Sequence, residues 1–318
     1  MDRRPRVGHN EPMKHITAAM GHVLFATDFT EVADRALDAA IRMARLFEAQ
    51  LHILHVNEEE LHFGAHDSAE LTHFLDTIVC RRQTWLAQLE DRALATGVDV
   101  VVATRSGVAS EGIMAYAEEV DAGLVVLGMV GHSGIGWLMS GSTAKKVLRG
   151  CERPVLVLSS QALVAPPGDE GTFSHVLYPN DLSPASHAGL KVAELLVERS
   201  GARLSLAHVL KLPTLIPSLP GEPPIVVPRR EVAGLEARLQ AELDAVVADL
   251  VTVDARTVLK VHSGGAEGIA ELAREDGVDL IALPRHSRHS MVGRFFGHTA
   301  ERLAMIAPVP VLIFTPAT

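Results

Sequence analysis

The sequence predicts an α/β fold made of two tandem, doubly wound parallel sheets of five strands each. Two observations carry this prediction: the chain repeats itself, and each repeat alternates short apolar runs with longer stretches of helical periodicity. The chain has 318 residues, 47% of them hydrophobic, which suffices for two cores at roughly 150 residues per domain. Charged residues make up 21%, near the usual share of about 25%, which excludes disordered, collagen-like and coiled-coil chains.

The internal repeat consists of paired segments at a nearly constant displacement. The segment HVLFATDFT from His22 returns as HVLYPNDLS from His175, and LHILHV at 51–56 returns as LSLAHV at 204–209, both 153 residues later. The apolar run PVLVL at 154–158 returns as PVLIF at 310–314, 156 residues later. A single domain has therefore been duplicated in tandem.

The elements of the first repeat follow from periodicity and turn signals. Apolar runs predict strands near 22–26, 51–56, 98–103, 123–127 and 154–158. Amphipathic stretches predict helices near 31–48, 70–96, 109–119 and 142–149. Thr30 and Ser183 stand where helix N-caps are expected. The resulting order, βαβαβαβαβ with nearly continuous apolar strands, indicates a parallel sheet covered on both faces.

Segments between and before the repeats set the domain organisation. Residues 1–20 carry arginines without an apolar stretch behind them, which predicts a mobile tail rather than a secretory signal. Residues 161–172 are rich in Pro, Gly and acidic residues and predict a linker between domains at 21–160 and 173–318. The extra loop of the second repeat, 212–228, contains six prolines and predicts a stiff surface excursion.

A glycine-rich loop follows the fourth strand of the first repeat, at the edge where open parallel sheets bind ligands. It has the pattern G-x2-G-x9-G-[ST], formed by Gly128, Gly131, Gly141 and Ser142. Gly128 and Gly131 are expected to adopt positive φ and let the backbone approach a ligand. The helix that starts at Gly141, Ser142 and Thr143 would present unpaired amides to a phosphate. A long surface turn with incidental glycines is the alternative.

Other known phosphate loops and nucleophile motifs do not fit this segment. Walker A requires lysine directly before a hydroxyl residue, whereas Lys145 and Lys146 follow Ser142 and Thr143. A Rossmann fingerprint could start only at Gly134, and its third glycine would be Met139. The GxSxG elbow of esterases is also absent from the loop.

These motifs together resemble the universal stress protein family. The glycine loop, Asp28 after the first strand, the His55-Val56 pair and the closing Pro154-Val155 strand follow the family's order, in a resemblance that covers both repeats. It implies a Rossmann-like fold of the adenine nucleotide alpha hydrolase type, with repeats related by a pseudo-two-fold axis and their closing strands in contact. It also implies ATP, accompanied by Mg²⁺, as ligand.

The resemblance assigns parts of ATP to particular residues. Ala26, Thr27 and Asp28 would lie near the ribose and adenine, and Val56 would contact the adenine through its backbone. The ribose and phosphates would be held by the glycine loop, whose residues in this role are Gly128, Met129, Gly131, His132, Gly141, Ser142 and Thr143. From position alone, Asp28 could accept ribose hydroxyls or simply cap the helix that begins near Thr30.

The second repeat departs from this pattern. Pro284 and Ser287 replace the first two glycines, and His298 follows Gly297 in place of a hydroxyl residue. Because these replacements lose positive-φ conformations, we expect the second repeat to bind ATP poorly or not at all, although Asp181 and Val209 are retained. Its loop concentrates basic residues, which indicates either another anionic ligand or a solvated basic surface: Arg285, His286, Arg288, His289, Arg294 and His298.

Composition narrows the remaining function classes. The formal net charge of −10 disfavours nucleic-acid binding, and no apolar run is long enough for a membrane span. Cys80 and Cys151 are too few for a disulfide framework and are expected to pack as small hydrophobes, which suits the cytoplasm. The 16 histidines include no four-ligand set, so no metal site is predicted.

The sequence thus predicts an ATP-binding, cytoplasmic stress-response sensor or regulator, expected to form a homodimer. One alternative is an enzyme, a slow ATPase or autophosphorylating protein, for which only Asp28 or His132 is an evident base. Another is an interaction scaffold that works without a nucleotide. No catalytic residue is assigned.

Overall fold

The structure is a computed structural model that describes residues 20–58, 69–129, 142–164, 172–212, 229–248, 250, 253–285 and 298–316. The predicted tail lies outside these residues except for Met20, and so does most of the proline loop, 213–228. The first repeat contains β1 (His22–Ala26), α1 (Glu31–Phe47), β2 (Gln50–Asn57), α2 (Ala69–Leu94), β3 (Val100–Ser106), α3 (Ala109–Glu119), β4 (Leu124–Met129), α4 (Ser142–Gly150) and β5 (Val155–Ser159).

The second repeat has the same order of elements. It contains β6 (His175–Pro179), α5 (Pro184–Ser200), β7 (Arg203–Lys211), α6 (Arg229–Ala248), β8 (Ala255–His262), α7 (Gly265–Glu275), β9 (Leu280–Pro284), α8 (His298–Ile306) and β10 (Val311–Phe314). The predicted tandem α/β architecture is therefore confirmed. None of the described helices is long and apolar enough to cross a membrane.

The two five-stranded sheets join edge to edge into one sheet of ten strands. Its order is β3-β2-β1-β4-β5-β10-β9-β6-β7-β8. Pairing is parallel within each repeat and antiparallel at the joint, where Leu156 of β5 lies opposite Leu312 of β10. The predicted contact between the closing strands is thus confirmed, and the antiparallel joint relates the repeats by an approximate two-fold axis.

Helices cover both faces of the sheet because consecutive strand residues point to opposite sides. In β1, Val23 and Phe25 pack in the core beneath α1, α2, α5 and α6. Leu24 and Ala26 pack in the opposite core, beneath α3, α4, α7 and α8. Each repeat is doubly wound, as predicted.

The predicted N-caps begin the two helices that follow the first strand of each repeat. Thr30 Oγ1 accepts a hydrogen bond from the Ala33 amide at 3.2 Å, and Ser183 Oγ accepts one from the Ser186 amide at 3.2 Å. Each cap fixes the direction in which its helix leaves the ligand-binding edge of the sheet.

The two cysteines have different environments. Cys151 is buried, as expected, and burial raises the pKa of its thiol. Cys80 is exposed on α2, so the prediction that it packs as a small hydrophobe is wrong. Composition alone does not distinguish the outward face of this long helix from its inward face, because apolar residues also lie on the outside. Val79, next to the cysteine, is 48% exposed.

Candidate functional site

A cavity of about 450 Å³ opens in the first repeat at the carboxyl ends of β1, β2 and β4. Strand order reverses at β1, since β2 lies on one side of it and β4 on the other, and open α/β sheets bind ligands at this point. Six of the residues assigned to ATP line this cavity: Ala26, Thr27, Asp28, Val56, Gly128 and Thr143. The topology thus brings together residues that are up to 117 positions apart in the chain.

The turn after β1 places Asp28 at the mouth of the cavity. Asp28 Oδ1 accepts hydrogen bonds from the Thr30 amide at 3.1 Å and from the Thr30 hydroxyl at 2.6 Å. Thr27 Oγ1 accepts one from the Phe29 amide at 3.0 Å, and Phe29 itself has a left-handed φ of 60°. Asp28 therefore supports the cap residue Thr30 and does not cap the helix directly, while its exposed carboxylate stays at the cavity.

Gly128 serves the cavity by close packing and not by an unusual backbone conformation. It lies in β4 and is not among the described glycines with positive φ, so that expectation is wrong. A Cβ built on Gly128 would lie 3.0 Å from the Ala33 amide nitrogen and 3.1 Å from Val32 Cγ1. Glycine is required here because the start of α1 packs directly on the strand.

The remaining loop residues are placed only in part. Met129 is 1% exposed at the end of β4 and does not line the cavity. Ser142 and Thr143 are the first residues of α4, at the positive end of the helix dipole. Gly131, His132 and Gly141 lie outside the described residues.

One face of α2 forms a wall of the cavity that the sequence patterns above did not identify. Its residues are Ile78, Arg81, Arg82 and Trp85. Their spacing of i, i+3, i+4 and i+7 is that of a single helix face, and this spacing is the signal that could have found them. Trp85 is 44% exposed, an unusual position for a large aromatic side chain.

Aromatic rings and cations meet at this wall. The ring of Phe29 lies 4.5 Å from that of His55 and 5.2 Å from that of Trp85. The guanidinium of Arg81 lies 5.9 Å from the centre of the Trp85 ring, within cation–π range. His55 Nδ1 is 2.9 Å from the Thr27 carbonyl oxygen, which links β2 to the turn after β1. The mouth of the cavity can therefore stack a planar group beside a positive charge.

Two polar side chains at the end of β2 are used to hold neighbouring helices. Arg82 Nη1 donates to Asn57 Oδ1 at 3.1 Å. Glu58 Oε1 accepts from the Ala109 amide at 2.8 Å and so provides a negative charge at the start of α3, where the helix dipole favours one.

His52 has a structural role on the opposite face of the sheet from His55, as their odd spacing predicts. Its Nδ1 is 3.0 Å from Tyr116 Oη and its Nε2 is 3.1 Å from His22 Nδ1. Burial, followed by the charge of His22, lowers the pKa of His52. Across the residues that the structure describes, no group of three or more His, Cys, Asp or Glu side chains is placed to hold a metal ion.

The second repeat has a smaller cavity, of about 200 Å³, at the corresponding edge. Pro284 stands where the first repeat has Gly128, and Gly189 of α5 makes room for it: a Cβ on Gly189 would lie 3.0 Å from Pro284 Cβ and 2.6 Å from Tyr178 Oη. The retained Asp181 accepts from Ser186 Oγ at 2.5 Å and from the Ser183 amide at 3.1 Å.

The structure describes only the two ends of the basic loop of the second repeat, Arg285 and His298. Arg285 Nη1 donates to the Cys151 carbonyl oxygen of the first repeat at 3.0 Å, so this guanidinium contacts the other repeat. Arg285 follows β9 and lies beside β10, the strand at the joint between the repeats, and its side chain bonds the first repeat there. His298 begins α8 and lines the small cavity, whereas residues 286–297 lie outside the described part of the chain.

Both repeats are doubly wound α/β domains with a cavity at the edge where the strand order reverses, which is where open α/β sheets bind small ligands. The model of the universal stress protein family matches residues 20–159 and 172–315. The chain therefore belongs to the universal stress protein family, and membership supports a role in the stress response.

Individual relatives agree with this assignment. The universal stress protein YxiE of Bacillus subtilis is 31% identical over 147 residues, which cover 43% of this chain and 97% of YxiE. The universal stress protein MJ0531 of Methanocaldococcus jannaschii is 26% identical over 136 residues, 43% of this chain and 80% of that protein. A universal stress protein structure from Archaeoglobus fulgidus shares the fold with a TM-score of 0.62 and 18% identity, over 93% of this chain and 99% of that one.

Proposed function

We propose that this protein is an ATP-binding stress-response regulator that holds one ATP, with Mg²⁺, in the cavity of the first repeat. The observation that carries the proposal is the cavity at β1, β2 and β4, which combines an apolar wall, a carboxylate and a helix N-terminus. Its volume of about 450 Å³ lies within the range of roughly 300–1,000 Å³ typical of small-molecule and cofactor sites.

The parts of the cavity suit the parts of a nucleotide. Leu54, Val56 and Ile113 form an apolar surface for the adenine. The Asp28 carboxylate at the strand end can accept hydrogen bonds from ribose hydroxyls, as acids at this position do in dinucleotide folds. The start of α4, at Ser142 and Thr143, offers backbone amides and the positive end of the helix dipole to the phosphates.

The wall formed by α2 adds charge of the sign that ATP requires. Arg81 and Arg82 line the cavity, and a guanidinium is a strong partner for phosphate oxygens. In the second repeat the cavity is less than half as large, and Pro284 occupies the position of Gly128. These differences favour a single nucleotide site, in the first repeat.

The hydrogen bonds at the site favour binding over hydrolysis. Hydrolysis needs an oriented base for the attacking water. Among the described groups that line the cavity, Asp28 accepts from Thr30, His55 Nδ1 is 2.9 Å from the Thr27 carbonyl oxygen, and Glu58 accepts from the Ala109 amide, so each supports the local structure. His132, the other candidate base, lies outside the described residues. A regulator that changes state with bound ATP fits this arrangement better than an ATPase.

Calorimetric titration with MgATP tests this proposal, and the duplication supplies a matched control. Asp28→Asn keeps the Oδ1 acceptor of the turn but removes the charge that would bind the ribose. A charged hydrogen bond is worth roughly 1 kcal/mol more than a neutral one, so we expect about fivefold weaker binding. Asp181→Asn, the same change in the second repeat, should leave affinity unchanged.

Two results would contradict the proposal: an absence of ATP binding to the wild-type chain, or equal effects of the two substitutions. A phosphate-release assay on the same samples separates the enzymatic alternative. Release that rises with wild-type protein and falls in Asp28→Asn would show turnover at this site, whereas release unaffected by the substitution would come from a contaminant.

A further inference from the structure

The second repeat keeps a cavity while losing the features that suit ATP. The cavity lies at the carboxyl ends of β6, β7 and β9, and its polar lining includes Asn180, Asp181, His208, Lys211 and His298. Two of these residues differ from their counterparts in the first repeat in the same direction, since each brings a nitrogen donor where the first repeat has a hydroxyl or a carboxylate. The counterparts are Thr27 for Asn180 and Glu58 for Lys211.

Asn180 brings a buried donor that has no acceptor. Its Oδ1 accepts from the Leu182 amide at 2.7 Å, just as Thr27 Oγ1 accepts from Phe29. Because the oxygen is fixed by this bond, the other terminal atom is the amide nitrogen. Asn180 is 3% exposed, and its Nδ2 has no hydrogen-bond partner among the described residues. A buried unsatisfied donor is costly and here points to an acceptor atom on a ligand.

Lys211 reverses the charge at the start of a helix. In the first repeat, Glu58 accepts from the amide of Ala109 at the start of α3. In the second, the side chain of Lys211 crosses the first residue of α7, so that a Cβ on Gly265 would lie 3.0 Å from Nζ. The N-cap Gly264 has no side chain, but the carboxylate of Glu267 folds back to it and accepts from the backbone amide of Glu267. Lys211 is exposed and lines the cavity, where its ammonium can pair with an anion.

The acidic groups near this point already have partners. Glu267, in the first turn of α7, pairs with Arg302 of α8 at 2.9 Å. Asp181 accepts from Ser186 Oγ and the Ser183 amide, on the α5 side of the cavity. The start of the nine-residue helix α8, at His298 and Thr299, also faces the cavity, which adds a helix N-terminus to the donors.

We propose that the second repeat binds a small organic anion in this cavity. A phosphate or carboxylate group contacts Lys211 and the start of α8, one of its oxygens accepts from Asn180 Nδ2, and an apolar body packs on Ile269 and Leu283. The volume of about 200 Å³ is below the roughly 300 Å³ at which drug-sized sites begin. The ligand is therefore smaller than a nucleoside triphosphate, and its binding does not depend on ATP in the first repeat.

The test uses phenyl phosphate and benzoate as probes, titrated by ligand-observed NMR against the full chain saturated with MgATP. Lys211→Glu and Asn180→Thr each install the residue that the first repeat carries at the same place, so both are compatible with the local fold. Lys211→Glu removes the ammonium and Asn180→Thr removes the amide nitrogen that would contact the anion, and we expect about tenfold weaker binding or more. Arg274→Glu makes the same charge change in the last turn of α7 and should leave binding unchanged.

Binding of either probe that is lost in Lys211→Glu and in Asn180→Thr, but not in Arg274→Glu, supports the proposal, and the preferred probe identifies the anionic group. Three results would overturn it: no binding of either probe up to roughly 10 mM, equal binding to the wild-type chain and both variants, or equal weakening by Arg274→Glu, which would reveal only an effect of net charge. Circular dichroism of each variant confirms that the comparison is between folded proteins.

Discussion

Gly128→Ala tests how tightly the ligand-binding edge of the first repeat is packed. The added methyl group would lie 3.0 Å from the Ala33 nitrogen, 3.1 Å from the Val32 carbonyl carbon and 3.1 Å from Val32 Cγ1. Two of these atoms are backbone, so no side-chain rotation relieves the contact, and α1 has to move away from β4. Overpacking of this kind typically costs about 1–3 kcal/mol. We expect that loss in the free energy of unfolding, measured by urea denaturation.

Gly21→Ala is the matched control, because a Cβ at Gly21 has no heavy atom within 4 Å. Its unfolding free energy should stay within about 0.5 kcal/mol of wild type, as for most surface substitutions. Thr30 and Asp28 precede α1 directly, so displacement of the helix in Gly128→Ala should also weaken MgATP binding. If Gly128→Ala were as stable as Gly21→Ala, close packing would not explain the glycine and the reasoning would be refuted.

Three further predictions concern the stability of the chain. Gly189→Ala should cost about 1–3 kcal/mol, because its Cβ would meet Tyr178 Oη and Pro284 Cβ; a wild-type urea midpoint would show that α5 can move freely. Glu58→Gln leaves an acceptor for the Ala109 amide but removes the charge at the start of α3, so we expect a loss of about 0.3–1 kcal/mol at low salt that shrinks in high salt; a loss independent of salt would argue against the helix-dipole explanation. Burial lowers the pKa of His52 in the folded chain, so the unfolded chain binds more protons and the unfolding free energy should fall as pH drops below about 6.5. His52→Gln should flatten this dependence, and an unchanged slope would exclude His52 as its source.

Repetition made the architecture predictable from the sequence. The displacement of 153 to 156 residues aligned the closing strands of the two repeats, and β5 and β10 do form the joint. The caps Thr30 and Ser183 were predictable because capping depends on residues three apart in the chain. Boundaries moved by a few residues: β3 starts at Val100 and not at 98, since Gly97 has a φ of 79° and ends the preceding helical segment.

The site was predictable only where its chemistry is local. The turn around Asp28 can be inferred from a short segment. The role of Gly128 cannot be inferred in this way, because the sequence does not show whether a glycine is needed for positive φ or for close packing. Only the position of α1 in the structure distinguishes the two. The cavity face of α2 depends on how the helix is rotated over the sheet, so Arg81 and Trp85 were missed. The contact of Arg285 with the first repeat could not be predicted, because its partner, the Cys151 carbonyl, is 134 positions away.

The central claim is that one nucleotide binds per chain and that it binds in the first repeat. Native mass spectrometry of the full chain with MgATP measures this directly. We predict one ATP per chain, with occupancy reduced by Asp28→Asn and unchanged by Asp181→Asn. Two ATP per chain, none, or a single ATP whose occupancy falls only in Asp181→Asn would contradict the account.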